Sequence, residues 1–186
     1  MASAFSHALA ALSIGTCFYR RQIPKRVWVA GAVCSVIPDI DVIGFRFGIH
    51  YGDFWGHRGF THSLVFAALL AGVVALAIFR HGVSGIGRLA LFAYLFLATA
   101  SHGVLDAMTD GGLGVAFFSP FDTKRYFLPW RPIHVSPIAI HRFFSTRGFA
   151  ILQSELLWIW LPAILFAAMV VMLRRKSQPD VVMPNE

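Results

Sequence analysis

The sequence predicts an all-α fold: a multi-pass membrane bundle of four to five helices with one long extracytoplasmic interfacial segment. Of its 186 residues, 57% are hydrophobic and only 13% are charged, whereas soluble domains carry about 25% charged residues. Because each crossing needs about 20 apolar residues, the length allows four or five spans and one sizeable loop. The net charge of +7 lies mostly between apolar runs, where membrane topology explains it, and we expect no nucleic-acid partner.

Five apolar runs are candidate spans, namely residues 1–19, 27–47, 63–79, 89–105 and 151–173. Pro38 interrupts the second run, so we expect its regular helix to end at Ile37, because a residue before proline avoids α geometry. Pro162 lies inside the fifth run and predicts a kink there. The long non-spanning segment covers about 106–149. A single transmembrane domain then covers 1–176, followed by a disordered cytoplasmic tail at 177–186.

The distribution of basic residues predicts the orientation of the chain. Five spans place residues 20–26, 80–88 and the tail from 174 onward on the same side. These segments hold nine of the 16 Lys and Arg residues, so the positive-inside rule makes this side cytoplasmic. The predicted location is the cytoplasmic (inner) membrane of a prokaryote.

Histidines and aspartates from four separate stretches then fall at the opposite, extracytoplasmic face. They are His7, Asp39, Asp41, His57, His62, His102 and Asp106. Ionisable groups at membrane depth are costly and by default indicate function. Imidazoles and carboxylates together suit one or two divalent metal ions, zinc first with manganese or iron as alternatives, and such an ion acidifies a bound water.

Local spacing is compatible with this convergence but does not require it. His102 and Asp106 are four residues apart on a helix and share one face, although a helix-end ion pair has the same spacing. Asp39 and Asp41 would diverge by about 200° on a helix, but can point the same way on an irregular segment after Pro38.

The segment 57–63, with the sequence HRGFTHS, is dense in function-capable side chains. His57 and His62 would lie about 140° apart on a helix, so a turn at Gly59 is needed to bring them together. Thr61 is the predicted cap of the helix that follows. A polar interfacial loop without a site is the alternative.

The outer segment interleaves basic and aromatic residues between 118 and 132. Trp and Tyr prefer the headgroup level, and Arg binds phosphate with two parallel donors. Arg125 and Arg131 are therefore candidate substrate-binding residues on a lid that meets phosphorylated lipid, or they belong to an interfacial anchor. The roles of His134, His141 and Glu155 stay open.

Several of these blocks together resemble the YdjM-like family of predicted inner-membrane metal-dependent hydrolases. They are His7, the PDID run at 38–41, HRGFTHS at 57–63, SHGVLD at 101–106, Thr109 and the 120–129 stretch. The order His, Asp, His, then His-xxx-Asp is also similar to part of the zinc-dependent phospholipase C and P1 nuclease pattern. The chain lacks the N-terminal Trp ligand and the second His-xxx-Asp of those enzymes, so one or two metal ions are expected.

The resemblance implies a hydrolase that cleaves phosphoester bonds in membrane lipids or lipid-linked substrates. Arg58 and Thr109 are then the candidate catalytic residues, and Arg58 or Arg125 would hold a phosphate oxygen. A metal-ion or proton transporter would use the same ligands as a transit site, but the inner halves of spans three and four are apolar apart from Tyr94. A non-catalytic membrane protein is the third hypothesis, and the sequence defines no oligomeric state.

Overall fold

The computed structural model describes residues 1–136 and 146–176 of the chain. Within these ranges the protein is helical and contains no strand, which confirms the all-α prediction. The α-helices are α1 (Ala4–Gly15), α2 (Lys25–Val36), α3 (Leu64–Val73), α4 (Arg88–Ala107), α5 (Thr146–Glu155) and α6 (Leu161–Lys176). His141 and the predicted tail at 177–186 lie outside the described residues.

Irregular helical turns extend most of these helices and join two of them. A 3₁₀ segment, Ile37–Phe47, continues α2, and π-helical turns at Val74–Ile78 and Leu156–Trp160 extend α3 and connect α5 to α6. The regular part of α2 ends at Val36, one residue before the predicted end. Pro38 therefore changes the helix type rather than ending the helical course of the chain.

Three of the resulting continuous helical segments are long and apolar enough to cross a membrane. They are Lys25–Phe47, Arg88–Ala107 and Gly148–Arg174, with 23, 20 and 27 residues. Two further apolar helices, Ala4–Phe18 and Leu64–Ile78, are shorter. The helical segment Gly148–Arg174 exposes many large apolar side chains. A surface of this kind indicates contact with lipid or with another apolar surface.

Glycines allow α1, α2 and α4 to approach one another closely in the core. A Cβ atom on Gly31 of α2 would lie 2.0 Å from the hydroxyl oxygen of Tyr94 on α4, and one on Gly15 would lie 2.3 Å from the Trp28 ring. Tyr94 itself is buried. Small residues at helix contacts are typical of membrane bundles, where close backbone packing replaces the hydrophobic effect.

Several helix ends meet at one end of the bundle, and residues 108–136 fold back over them. The amide of Ala116 donates to the carbonyl of Arg58, and the amide of Leu64 donates to the carbonyl of Phe117. Ser63, not the predicted Thr61, caps α3 by accepting a hydrogen bond from the Phe66 amide. This arrangement places the start of α1, the 3₁₀ extension of α2, the entry to α3 and the end of α4 side by side.

Candidate metal centre

His102 and Asp106 project from one face of α4, as their spacing predicts, and both are fully buried. The Nδ1 atom of His102 lies 2.7 Å from the carbonyl oxygen of Ser35 on α2. Because a carbonyl can only accept, Nδ1 carries the proton and Nε2 presents a lone pair. That lone pair faces the interior of the cluster, 3.8 Å from Oδ2 of Asp106.

Asp39 reaches the same point from the 3₁₀ extension of α2. Its Oδ1 atom lies 3.3 Å from Nε2 of His102. Neither carboxylate oxygen of Asp39 has a hydrogen-bond partner. Buried carboxylate oxygens without donors are costly, and a bound cation is one way to satisfy them.

His62 completes the group from the short turn that precedes α3. Its Nε2 atom lies 3.0 Å from Nε2 of His102, 3.5 Å from Oδ2 of Asp106 and 3.7 Å from Oδ1 of Asp39. The last two distances are too long for hydrogen bonds. One ligand atom from each of the four residues lies within 4.8 Å of all the others, so two imidazole nitrogens and two carboxylates converge as a divalent cation requires.

The electrostatics of His62 also favour positive charge at this point. Burial lowers the pKa of the imidazole, but the surrounding carboxylates of Asp106, Asp39 and Asp41 outweigh burial and raise the pKa to about 10. The same carboxylates that favour a proton on His62 would favour a metal ion beside it. The donor set therefore fits a divalent cation.

Asp41 is not one of the four residues of this group but contacts His62, which is. Its Oδ1 atom accepts from Nδ1 of His57 at 2.7 Å, and its Oδ2 atom accepts from the Thr61 hydroxyl at 2.6 Å and faces Nδ1 of His62 at 3.2 Å. Asp41, His57 and His62 form a second group with metal-ligand geometry. Because hydrogen bonds already occupy Asp41, its evident effect is to orient His62 so that Nε2 faces the centre.

An unusual backbone conformation brings His57 and His62 together, with ring centroids 5.3 Å apart. Arg58 has φ 64°, the one positive value among the described non-glycine residues. Gly59 follows with its Cα so close to the chain that a Cβ atom would lie 2.3 Å from the Phe54 carbonyl oxygen. The predicted turn is present, but the left-handed residue is Arg58 rather than Gly59. Burial lowers the pKa of His57, although Asp41 opposes the shift.

His7 lies next to the four-residue group without belonging to it. Its ring stacks on His102 with centroids 3.7 Å apart, and its Nε2 atom lies 3.7 Å from Oδ1 of Asp106. His7 is fully buried, and neither ring nitrogen has a hydrogen-bond partner. Unpaired ring nitrogens this close to the centre give His7 access to a bound ion or to a group held by it.

Arg58 and Thr109 fix Asp106, and Arg58 does so at Oδ2, the oxygen that also faces His62 and His102. The guanidinium of Arg58 is buried, with Nε 3.1 Å from Oδ2 of Asp106. Its two terminal nitrogens donate to the Gly111 carbonyl at 2.8 Å and the Thr109 hydroxyl at 3.0 Å. Thr109 in turn donates to the Asp106 carbonyl at 2.7 Å. Arg58 therefore compensates the charge of Asp106.

Arg125 and Arg131, the two arginines between 118 and 132, lie in different settings. Arg125 donates to the carbonyl oxygens of His57, Tyr51 and Asp53 at 2.7–3.1 Å, which fixes the loop that carries His57. It also lines a cavity of about 210 Å³. Arg131 is exposed and lies over the ring of Phe127, 4.7 Å from its centroid.

His134, whose role the sequence leaves open, takes no part in either group. Its Nδ1 atom lies 2.8 Å from Oδ2 of Asp110, in a half-exposed pair near the start of the outer segment. This hydrogen bond lowers the pKa of Asp110, although partial burial acts in the opposite direction.

The contact between His102 and the Ser35 carbonyl could not be predicted from the sequence, because a backbone acceptor leaves no signal in residue type.

The fold and this site define a helical membrane-type protein with a buried His–Asp centre. The profile of the YdjM inner membrane protein family matches residues 1–178, and the chain belongs to this family.

Inner membrane protein YbcI of Escherichia coli (strain K12) is 39% identical over 178 residues, which cover 94% of this chain and 100% of that protein. Uncharacterized protein YvsG of Bacillus subtilis (strain 168) is 34% identical over 107 residues, or 54% of this chain and 62% of that protein. No solved structure matches. These relationships and the apolar helices support an inner-membrane location.

Proposed function

We propose that the protein is a membrane-embedded, metal-dependent hydrolase that acts on phosphoester bonds of lipids or lipid-linked substrates. The observation that carries this proposal is the convergence of Asp39, His62, His102 and Asp106 within 4.8 Å, with both carboxylate oxygens of Asp39 lacking hydrogen-bond partners. Four buried ionisable residues from three elements are expensive to gather without a ligand.

The donor set favours zinc. Two imidazoles and two carboxylates are within the range of protein zinc sites, and manganese or iron are the alternatives among divalent ions. The structure supports one ion in the four-residue group more strongly than a second one, because Asp41 of the neighbouring group already accepts from His57 and Thr61. A divalent cation held here would supply Lewis-acid chemistry for hydrolysis.

The chain's own residues have separate roles in this proposal. Arg58 and Thr109 hold Asp106 in place, and His7 is positioned to exchange a proton with a group at the centre. The side chain of Asp39 is 9% exposed, whereas those of His62, His102 and Asp106 are fully buried, so a substrate would approach past Asp39. The cavity beside Arg125 and the exposed guanidinium of Arg131 are the candidate contacts for a lipid phosphate.

The membrane topology that we propose places the centre at the extracytoplasmic face. In this arrangement the three long helical segments and the two shorter apolar helices all cross the bilayer. A locally thinner membrane would accommodate the shorter ones. The basic segments around Arg20, Arg88 and Arg174 would then lie in the cytoplasm.

The test combines metal analysis with lipid hydrolysis by the purified full chain in detergent or nanodiscs. Zinc-loaded protein should release phosphate or a phosphorylated headgroup from phospholipid vesicles, and His102→Ala should abolish this release. Metal binding without hydrolysis of phosphomonoester, phosphodiester or lipid pyrophosphate substrates would overturn the enzymatic part. Purified protein without stoichiometric metal affinity would overturn the whole proposal.

A further inference from the structure

Glu155 is a fully buried carboxylate at the end of α5, and among the described side chains its hydrogen bonds lead to the start of α1. Its Oε1 atom accepts from the Ser3 amide at 2.6 Å. Its Oε2 atom accepts from the Ser3 hydroxyl at 2.5 Å and from the Ser6 hydroxyl at 2.7 Å. The indole nitrogen of Trp160 donates to the Ser6 hydroxyl at 2.7 Å, which completes the network.

This network uses a charged side chain to fix a short stretch of backbone. A buried carboxylate is costly unless hydrogen bonds satisfy it, and within 1–136 and 148–174 no Lys or Arg forms an ion pair with Glu155. Hydrogen bonds to a charged acceptor are roughly twice as strong as those between neutral groups. The position of Ser3 and Ser6 relative to α5 is therefore tightly determined.

The residues on both sides of Ser3 contact the metal centre. The Ala2 amide donates to Oδ1 of Asp106 at 2.9 Å. His7 follows one helical turn after Ser3, with its amide bonded to the Ser3 carbonyl at 3.2 Å, and its ring stacks on His102. Glu155 is thus linked through Ser3 to the residues that contact Asp106 and His102, without touching either.

We propose that Glu155 is a positioning residue for the metal centre. By fixing Ser3 and Ser6, it holds the His7 ring against His102 and so increases the affinity of the centre for a divalent cation. The inference rests on the proposed function only in requiring that the wild-type protein binds such a cation.

The test measures zinc dissociation constants of the full chain in detergent by competition with a chromophoric chelator. Outer partners of metal ligands typically contribute 10–100-fold to metal affinity, so Glu155→Gln should weaken zinc binding by about tenfold. In a His7→Ala background the same change should weaken it by less than about threefold, because residues that act through one another are non-additive. A purely structural role would give the same loss in both backgrounds.

Ser154→Ala is the matched control, because Ser154 precedes Glu155 on α5 but bonds to the Ile151 carbonyl and the His134 amide. This variant should bind zinc as the wild type does. Metal-free melting temperatures accompany each measurement. If Glu155→Gln does not fold, Ser6→Ala removes one donor and should lower the affinity in the same direction.

Wild-type affinity in Glu155→Gln and Ser6→Ala, or equal losses with and without His7, would overturn the inference while leaving the metal centre intact. A wild-type protein that binds no zinc would overturn the proposed function itself.

Discussion

The Nε2 atoms of His62 and His102 face each other across 3.0 Å. The Nδ1 atom of His102 donates to the Ser35 carbonyl, and Nδ1 of His62 faces Asp41. With both Nδ1 protons directed outward, two lone pairs meet at one point beside two carboxylates. Such an arrangement is repulsive unless a proton or a metal ion lies between the rings.

Removal of two ligands should therefore abolish metal binding. We expect the double variant His102→Ala, Asp106→Ala to lose stoichiometric zinc, measured by elemental analysis after purification and dialysis. The matched control is His134→Ala, Asp110→Ala, which removes a half-exposed His–Asp pair of similar geometry away from the centre. Equal zinc content in both double variants would show that the ligand assignment is wrong.

Zinc affinity should increase with pH because the cation must displace a proton from His62. The carboxylates raise the pKa of this imidazole to about 10, so the ring is protonated at neutral pH when no metal is bound. Binding then releases about one proton between pH 7 and 9, and affinity rises about tenfold per pH unit, with the dependence fading above the pKa. Calorimetry in buffers of different ionisation enthalpy counts the released protons.

A variant without the imidazole gives the control for this pH dependence. His62→Ala should bind zinc more weakly, and its proton release should fall by about one at pH 8. Proton release that is unchanged in His62→Ala would assign the titration to another group.

How much of this centre the sequence predicts depends on the kind of contact. The shared face of His102 and Asp106 follows from helical spacing, and the convergence of four stretches follows from span length and charge bias. The position of Asp41 behind His62 does not follow, because a 3₁₀ extension rotates successive residues differently from an α-helix or a strand. The link from Glu155 to Ser3 is also unpredictable, since it joins residues 152 positions apart through packing alone.

Breaking the ion pair between Arg58 and Asp106 should destabilise the protein. Arg58 is buried against Asp106, and removal of one partner of a buried pair costs about 3–5 kcal/mol. We expect Arg58→Met to lower the free energy of unfolding of the metal-free protein by an amount in this range, measured by chemical denaturation in detergent. Arg131→Met changes the same residue type at an exposed position and should shift it by about 0.5 kcal/mol or less. Similar losses in the two variants would show that Asp106 does not depend on Arg58.

The close contact between α2 and α4 should make Gly31 intolerant of any side chain. A Cβ atom there would lie 2.0 Å from the Tyr94 hydroxyl and 2.4 Å from its ring, so Gly31→Ala requires helix displacement. Overpacking of this kind costs about 1–3 kcal/mol, and a shift of α2 would also move Asp39 and the Ser35 carbonyl that orients His102. Gly31→Ala should therefore lower both the melting temperature and the zinc affinity.

Gly72→Ala on α3 is the control, because the nearest neighbour of the added Cβ atom would lie 4.0 Å away and the helix propensity of alanine is higher than that of glycine. A Gly31→Ala protein that matches Gly72→Ala in both measurements would contradict the packing of α2 against α4 at Tyr94.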